Sequence, residues 1–139
     1  MKRPRTLLFD TQAVVFWATG KIQKPVVQRV NAGYAVCVSV ISPWEFLLKS
    51  RTHGFGLDYN QFLATVHALQ AEFLPIELSH LERLRGLPFR EQHRDPFDRL
   101  IISQAMQDKL ILVGGDEEFP AYPLPVLWDK FWEASSSRF

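Results

Sequence analysis

Short apolar runs that break off at a turn and give way to helical spacing constrain this chain most. Residues 6–9 form such a run and stop at Asp10. Residues 35–41 form a continuous run rich in β-branched residues, followed by Ser42-Pro43. Residues 110–113 form a third, halted by Gly114-Gly115-Asp116. Residues 73–77 and 125–128 read as two further short strands. Between them lie helical patterns at 13–18, 25–32, 43–52, 59–69, 79–84 and 95–109. Tyr59, Phe62, Leu63, Val66 and Leu69 form one apolar stripe at helical spacing. Strands alternating with helices imply a three-layer α/β/α sandwich around a short, mainly parallel central sheet. Right-handed crossovers place the strand C-terminal ends on one edge, where such sheets bind ligands.

Composition agrees with one compact unit. The chain has 139 residues, 47% of them apolar and 13% aromatic, enough for a core without covalent staples. The single cysteine, Cys37, lies inside the run Ala35-Val36-Cys37-Val38 and reads as a small core residue. The apolar run after the basic N-terminus is too short for a signal peptide, and no stretch has the length of a membrane span. A cytoplasmic location and no membrane partner are expected. The boundaries read as one domain over 1–128 and a tail over 129–139, loose or at an interface.

Four acids are placed on that edge, Asp10 and Asp116 directly after strands and Glu45 and Asp98 at helix starts. Asp10 follows Phe9, and Asp is also a preferred helix N-cap. Glu45 fits a capping box, with Ser42 as N-cap and Pro43 at the first helical position, and it can pair with Lys49 one turn on. Asp116 follows two glycines and can cap the short turn after it. Asp98 resists such an account. Asp95 is the natural cap of its helix and Pro96 the first helical residue. Asp98 then heads the face that continues through Ile101, Ile102 and Ala105, where a lone charge is costly. Four carboxylates on one edge suit Mg²⁺ or Mn²⁺, hard cations that also take phosphate oxygens. The chemistry implied is hydrolysis of a phosphate ester.

Other motifs are missing. There is no phosphate-binding glycine loop and no H-E-x-x-H, and the four histidines share no metal-ligand spacing. An aspartyl-phosphate phosphatase is disfavoured because Gln12 stands where a second Asp is needed. Net charge is +1, so nucleic-acid binding rests on local groups: Lys2, Arg3 and Arg5; Lys49, Arg51 and His53; and Arg83, Arg85, Arg90, His93, Arg94 and Arg99. These form either a solvated surface of mixed sign or a rim that tracks phosphates.

Four blocks together resemble PIN-domain proteins, and specifically VapC-like ribonuclease toxins. They are Leu7-Leu8-Phe9-Asp10-Thr11; Ser42-Pro43-Trp44-Glu45 with Lys49; His93 to Ile102 with Gln104-Ala105; and Leu112 to Phe119 running on to Pro125-Val126-Leu127-Trp128. The resemblance implies a metal-dependent endoribonuclease, the toxin of a toxin–antitoxin pair. Asp10, Glu45, Asp98 and Asp116 match the acids that hold one or two Mg²⁺ or Mn²⁺ ions; of these, Asp10 and Asp98 are the expected direct ligands. Asp95 matches a secondary position. Lys49, Arg94 and Arg99 are candidates to steady phosphate oxygens, Arg99 alternatively pairing with Asp95. Expected partners are RNA, a second copy of the chain, and an antitoxin segment that fills the acidic pocket. Two positions depart from the pattern: relatives often carry Thr or Ser where Gly114 stands, and His where Gln12 stands. The alternatives are a PIN-fold module that binds RNA or protein without cleaving, and a nuclease acting on DNA. Phe131 and Trp132 are the candidate interface aromatics.

Overall fold

A computed structural model describes residues 5–129 and 131–139; Lys2 and Arg3 of the basic N-terminal group lie outside the described residues. The elements run β1 (Thr6–Phe9), α1 (Thr11–Ala18), α2 (Lys24–Asn31), β2 (Ala35–Ser39), α3 (Ser42–Lys49), α4 (Tyr59–Ala68), β3 (Glu72–Leu74), α5 (Leu78–Arg85), α6 (Pro96–Asp108), β4 (Ile111–Val113) and α7 (Phe131–Ser135), with a 3₁₀ turn at Phe119–Ala121. The strands form one sheet in the order β3-β2-β1-β4, and every pairing is parallel. β1 and β4 are neighbours, and the Asp10 N–H continues their ladder to the Val113 carbonyl at 2.9 Å.

The strand period of two builds the three layers. Leu7, Phe9, Val36, Val38 and Val113 face one core with Val14, Phe46, Phe62 and Val66 from α1, α3 and α4. Leu8, Cys37 and Leu112 face the other with Ile101, Ile102 and Ala105 from α6. Each fully buried Leu, Ile or Phe contributes about 1.5–3 kcal/mol relative to leaving it exposed. The expected sandwich is therefore the observed fold.

Three expected elements differ. β3 stops at Leu74, because Pro75 has no N–H to extend a ladder. The strand expected at 125–128 is a single parallel bridge between Leu112 and Val126. Leu112 donates to Pro125 O and Leu127 donates to Leu112 O, while Pro125 has no donor of its own. Within the tail expected to be loose or at an interface, residues 131–135 form α7, which docks on the domain. The buried Ser135 hydroxyl accepts from Val126 N–H at 2.8 Å, and Arg138 donates to the carbonyls of Pro120 and Tyr122. Phe131 and Trp132 pack on the chain's own cores, Trp132 with Arg29 over its ring.

Candidate metal centre

The four acids do meet. Asp10, Glu45, Asp98 and Asp116 line one cavity of about 430 Å³ beyond the C-terminal ends of β1, β2 and β4. Each arrives from a different element.

Asp10 caps α1: its Oδ1 accepts from Ala13 N–H at 2.7 Å, and only 5% of the residue is exposed. The capping box expected of Ser42 and Glu45 does not form. The N-cap of α3 is Ile41, and no side chain bonds there. The buried Glu45 carboxylate accepts instead from the Thr11 hydroxyl, which also lies 3.0 Å from Ser42 Oγ. Its other oxygen takes the Lys49 ammonium at 2.5 Å. Lys49 also bonds Asp95 at 2.8 Å, while Asp95 caps α6 through the N–H groups of Phe97 and Asp98. Asp116 caps the turn that follows it, accepting from Glu118 N–H at 2.8 Å.

Asp98 is the centre of the group. One of its oxygens lies in a set with Glu45 and Asp95 whose ligand atoms all fall within 4.8 Å of one another; a second such set joins Asp98 to Asp116 and His93. Burial first, then the charges of Asp10, Asp95, Glu45 and Asp116, push the Asp98 carboxyl up to about 9. Burial also leads for Asp10, pushed up to about 7, with Glu45 and Asp116 adding to it and the Ala13 N–H and Lys49 opposing. Asp95 moves the other way: burial works against its charge, but Lys49 and two backbone N–H groups outweigh it. Five carboxylates thus surround one ammonium, and two of them are too crowded to ionise freely near neutrality. This all-oxygen donor set, short of positive charge, fits a divalent cation.

Gly114 explains how Asp10 is seated. A Cβ there would lie 2.3 Å from Asp10 Oδ2 and 2.6 Å from Phe119 Cε2. The carboxylate occupies the space a side chain would need. Gly115 similarly makes room for the Trp128 indole.

The basic candidates divide. Lys49 and His53 line the cavity. Arg94 does not; it pairs with Glu91 and lies over the Phe89 ring. Arg99 turns from Asp95 and donates to the carbonyls of Pro88 and Leu87 at 2.8 and 3.2 Å. Two residues were missed. Thr11 was visible only as the neighbour of Asp10. His93 is buried beside Asp98 although it shares no ligand spacing with the other histidines. The available signal was its place two residues before the Asp95 cap, at the head of α6.

A short parallel sheet with an acid-lined cleft at its strand ends defines the class of α/β proteins built around a polar, cation-suited pocket. Comparison with known proteins narrows it: the model of the PIN domain family matches residues 7–124, and the chain belongs to that family. Among solved structures, it resembles VapBC2 of Rickettsia felis, crystallised with a DNA fragment from their promoter. That match has a TM-score of 0.63 and 16% identity, over 89% of this chain and 99% of the other. A toxin–antitoxin complex from Klebsiella pneumoniae matches with a TM-score of 0.61 and 22% identity, over 88% of this chain and 96% of the other. No curated protein sequence matches significantly.

Proposed function

We propose that the protein is a metal-dependent endoribonuclease, the toxin of a toxin–antitoxin pair, with Asp10, Glu45, Asp98 and Asp116 holding one or two Mg²⁺ or Mn²⁺ ions. The observation that carries this reading is the convergence of four acids from four elements on one cavity. A bound divalent cation supplies the charge that acidifies water and stabilises a phosphate in hydrolysis. The chain's own groups set the stage. Thr11 and Lys49 hold Glu45 in one orientation, and the Ala13 N–H holds Asp10. Lys49 and His53 offer positive or polar contacts to phosphate oxygens at the rim. Phe16, Phe55 and Trp128 line the same cavity, an aromatic lining of the kind on which unpaired bases stack, which fits a single-stranded substrate.

The test is cleavage of matched RNA and DNA with Mn²⁺ by wild type and Asp98→Asn. RNA cut by wild type alone supports the reading; equal residual cleavage by both proteins removes it. A PIN-fold binding module without catalysis is the second reading. It is favoured by Asp10, whose carboxylate caps a helix and packs on Gly114, outside both of the tight ligand sets.

The antitoxin partner is supported by the two structural neighbours, one VapBC2 and the other described as a toxin–antitoxin complex. For a second copy of the chain, the best-suited surface is α3. Trp44, Leu47 and Leu48 share one face of it and are 56%, 46% and 43% exposed, with exposed Val40 just before. Leu47→Glu is expected to lower the solution mass from dimer to monomer by light scattering at micromolar concentration. No helix of the described residues is long and apolar enough to cross a membrane.

A further inference from the structure

His93 is held in the acidic cleft by more than its own packing. The turn Arg90-Glu91-Gln92-His93 is closed by an antiparallel bridge, with His93 N–H donating to Arg90 O at 3.0 Å. Arg99 ties the preceding segment to α6 through Leu87 O and Pro88 O. Arg90 ties the turn to Glu118, two residues past Asp116. The imidazole is 3% exposed and packs edge-on against Phe119.

The two ring nitrogens have different surroundings. Nε2 lies 3.3 Å from Asp98 Oδ2 and 3.7 Å from Asp116 Oδ2. Atoms sharing one cation at about 2.1 Å stand about 3.0 Å apart at right angles and about 3.4 Å apart at tetrahedral angles. The observed separations need only small adjustments to match. Nδ1 lies 2.8 Å from the buried Tyr122 hydroxyl. A phenol both donates and accepts, so either tautomer of His93 leaves no buried nitrogen unpaired. With the proton on Nδ1, the ring donates to Tyr122 and turns the Nε2 lone pair toward the space between the two carboxylates.

We propose that His93 is a nitrogen ligand of the cation held by Asp98 and Asp116, with Tyr122 accepting from Nδ1–H and orienting the ring, so that the cleft favours Mn²⁺ over Mg²⁺. The proposal rests on the metal reading of the cleft. The chemistry is direct: carboxylates serve both ions, whereas imidazole adds affinity for transition metals and little for Mg²⁺. Partners on the far ring nitrogen orient such ligands and raise their basicity.

The test uses the full chain, freed of metal and then titrated with Mn²⁺ or Mg²⁺ while thermal stabilisation is followed. His93→Gln is expected to weaken Mn²⁺ about tenfold or more and Mg²⁺ much less, and Tyr122→Phe to weaken Mn²⁺ by a smaller factor. Pulsed electron paramagnetic resonance of the Mn²⁺-loaded wild type is expected to show ¹⁴N coupling from a directly bound imidazole. That measurement needs no variant to fold. Wild type that binds Mn²⁺ without ¹⁴N coupling, or equal losses for both ions in His93→Gln, would overturn the proposal and leave His93 as a residue that merely orients Asp98. Wild type that takes up neither ion would sink the metal reading itself, and the proposal with it.

Discussion

Helix α6 carries a carboxylate against a buried histidine at each end, and the two pairs differ in what the imidazole is free to do. Near its C-terminal end, His80 Nε2 meets Asp108 at 3.0 Å. Near its N-terminal end, His93 Nε2 meets Asp98 at 3.3 Å. Burial is almost the same, at 1% and 3% exposed. The other nitrogen separates them. His80 Nδ1 accepts from the Glu77 backbone N–H, which can only donate. Its proton is therefore fixed on Nε2, where it is used up by Asp108 in joining α5 to α6. His93 Nδ1 faces a phenol that allows either tautomer, and its Nε2 faces two carboxylates. A buried histidine beside an acid is thus a fastener in one place and a candidate ligand in the other.

The largest expected effect lies at the cleft end. Asp98→Asn removes the carboxylate shared by both ligand sets. RNA cleavage is expected to fall about a hundredfold or more, and the metal-induced rise in Tm to vanish. The metal-free variant is expected to be at least as stable as wild type, because the amide removes a charge that burial and four neighbouring carboxylates disfavour. A metal response that survives Asp98→Asn would erase the distinction between the two ends of α6.

Gly114→Ser tests the same end from the sheet side, through Asp10 and the Phe119 ring on which His93 packs. Its Cβ must displace Asp10 or the fully buried Phe119 ring. Such overpacking costs about 1–3 kcal/mol, and affinity for Mn²⁺ is expected to fall with it. A variant with unchanged Tm and metal affinity would show that Asp10 can move aside and does not help to form the site.

The pH dependence has a definite sign. The carboxyls of Asp10 and Asp98 rise to about 7 and about 9 in the folded protein from an ordinary value near 3.8. The folded state therefore holds more protons than the unfolded chain between these limits. The stability these groups contribute is fully present below about pH 4 and is lost as pH rises through 7 and 9. Asp95 shifts oppositely, but its contribution is lost only in stronger acid. With chelator present, Tm is expected to fall by several degrees between pH 5 and pH 9; saturating Mn²⁺ is expected to abolish that fall. A metal-free Tm that climbs over this range would mean that the acids are not crowded as the geometry indicates.

Much of this was legible in the sequence because it is local. Asp10 after Phe9, Asp116 after Gly114-Gly115 and Asp98 beneath its own cap are all set within a few residues. Strand alternation then brings them to one edge. What was missed depends on distant contacts. Glu45 looked like a cap because Ser42-Pro43-Trp44-Glu45 has that pattern, yet its hydroxyl partner is Thr11, 34 residues away. His93 owes its position to Tyr122, 29 residues on, and to Arg99 holding the loop before it. Arg99 itself was misread, since its two carbonyl acceptors carry no signature in sequence. For Gly114, sequence could show freedom of backbone but not that Asp10 fills the space.

The smallest expected effect belongs to the far end of α6, and it is the control on which the comparison depends. Asp108→Asn replaces a carboxylate that is 35% exposed, so water can take over part of its bond to His80. The loss is expected to be about 1 kcal/mol, a Tm decrease of a few degrees. The amide oxygen can still accept from Nε2–H, and Glu77 N–H still fixes the other nitrogen, so the joint between α5 and α6 persists. Mn²⁺ and Mg²⁺ titrations of this variant should overlay those of wild type. If Asp108→Asn instead weakens Mn²⁺ as strongly as His93→Gln, then metal affinity depends on how firmly α6 is anchored rather than on what faces the cleft, and the functional reading of His93 loses its contrast.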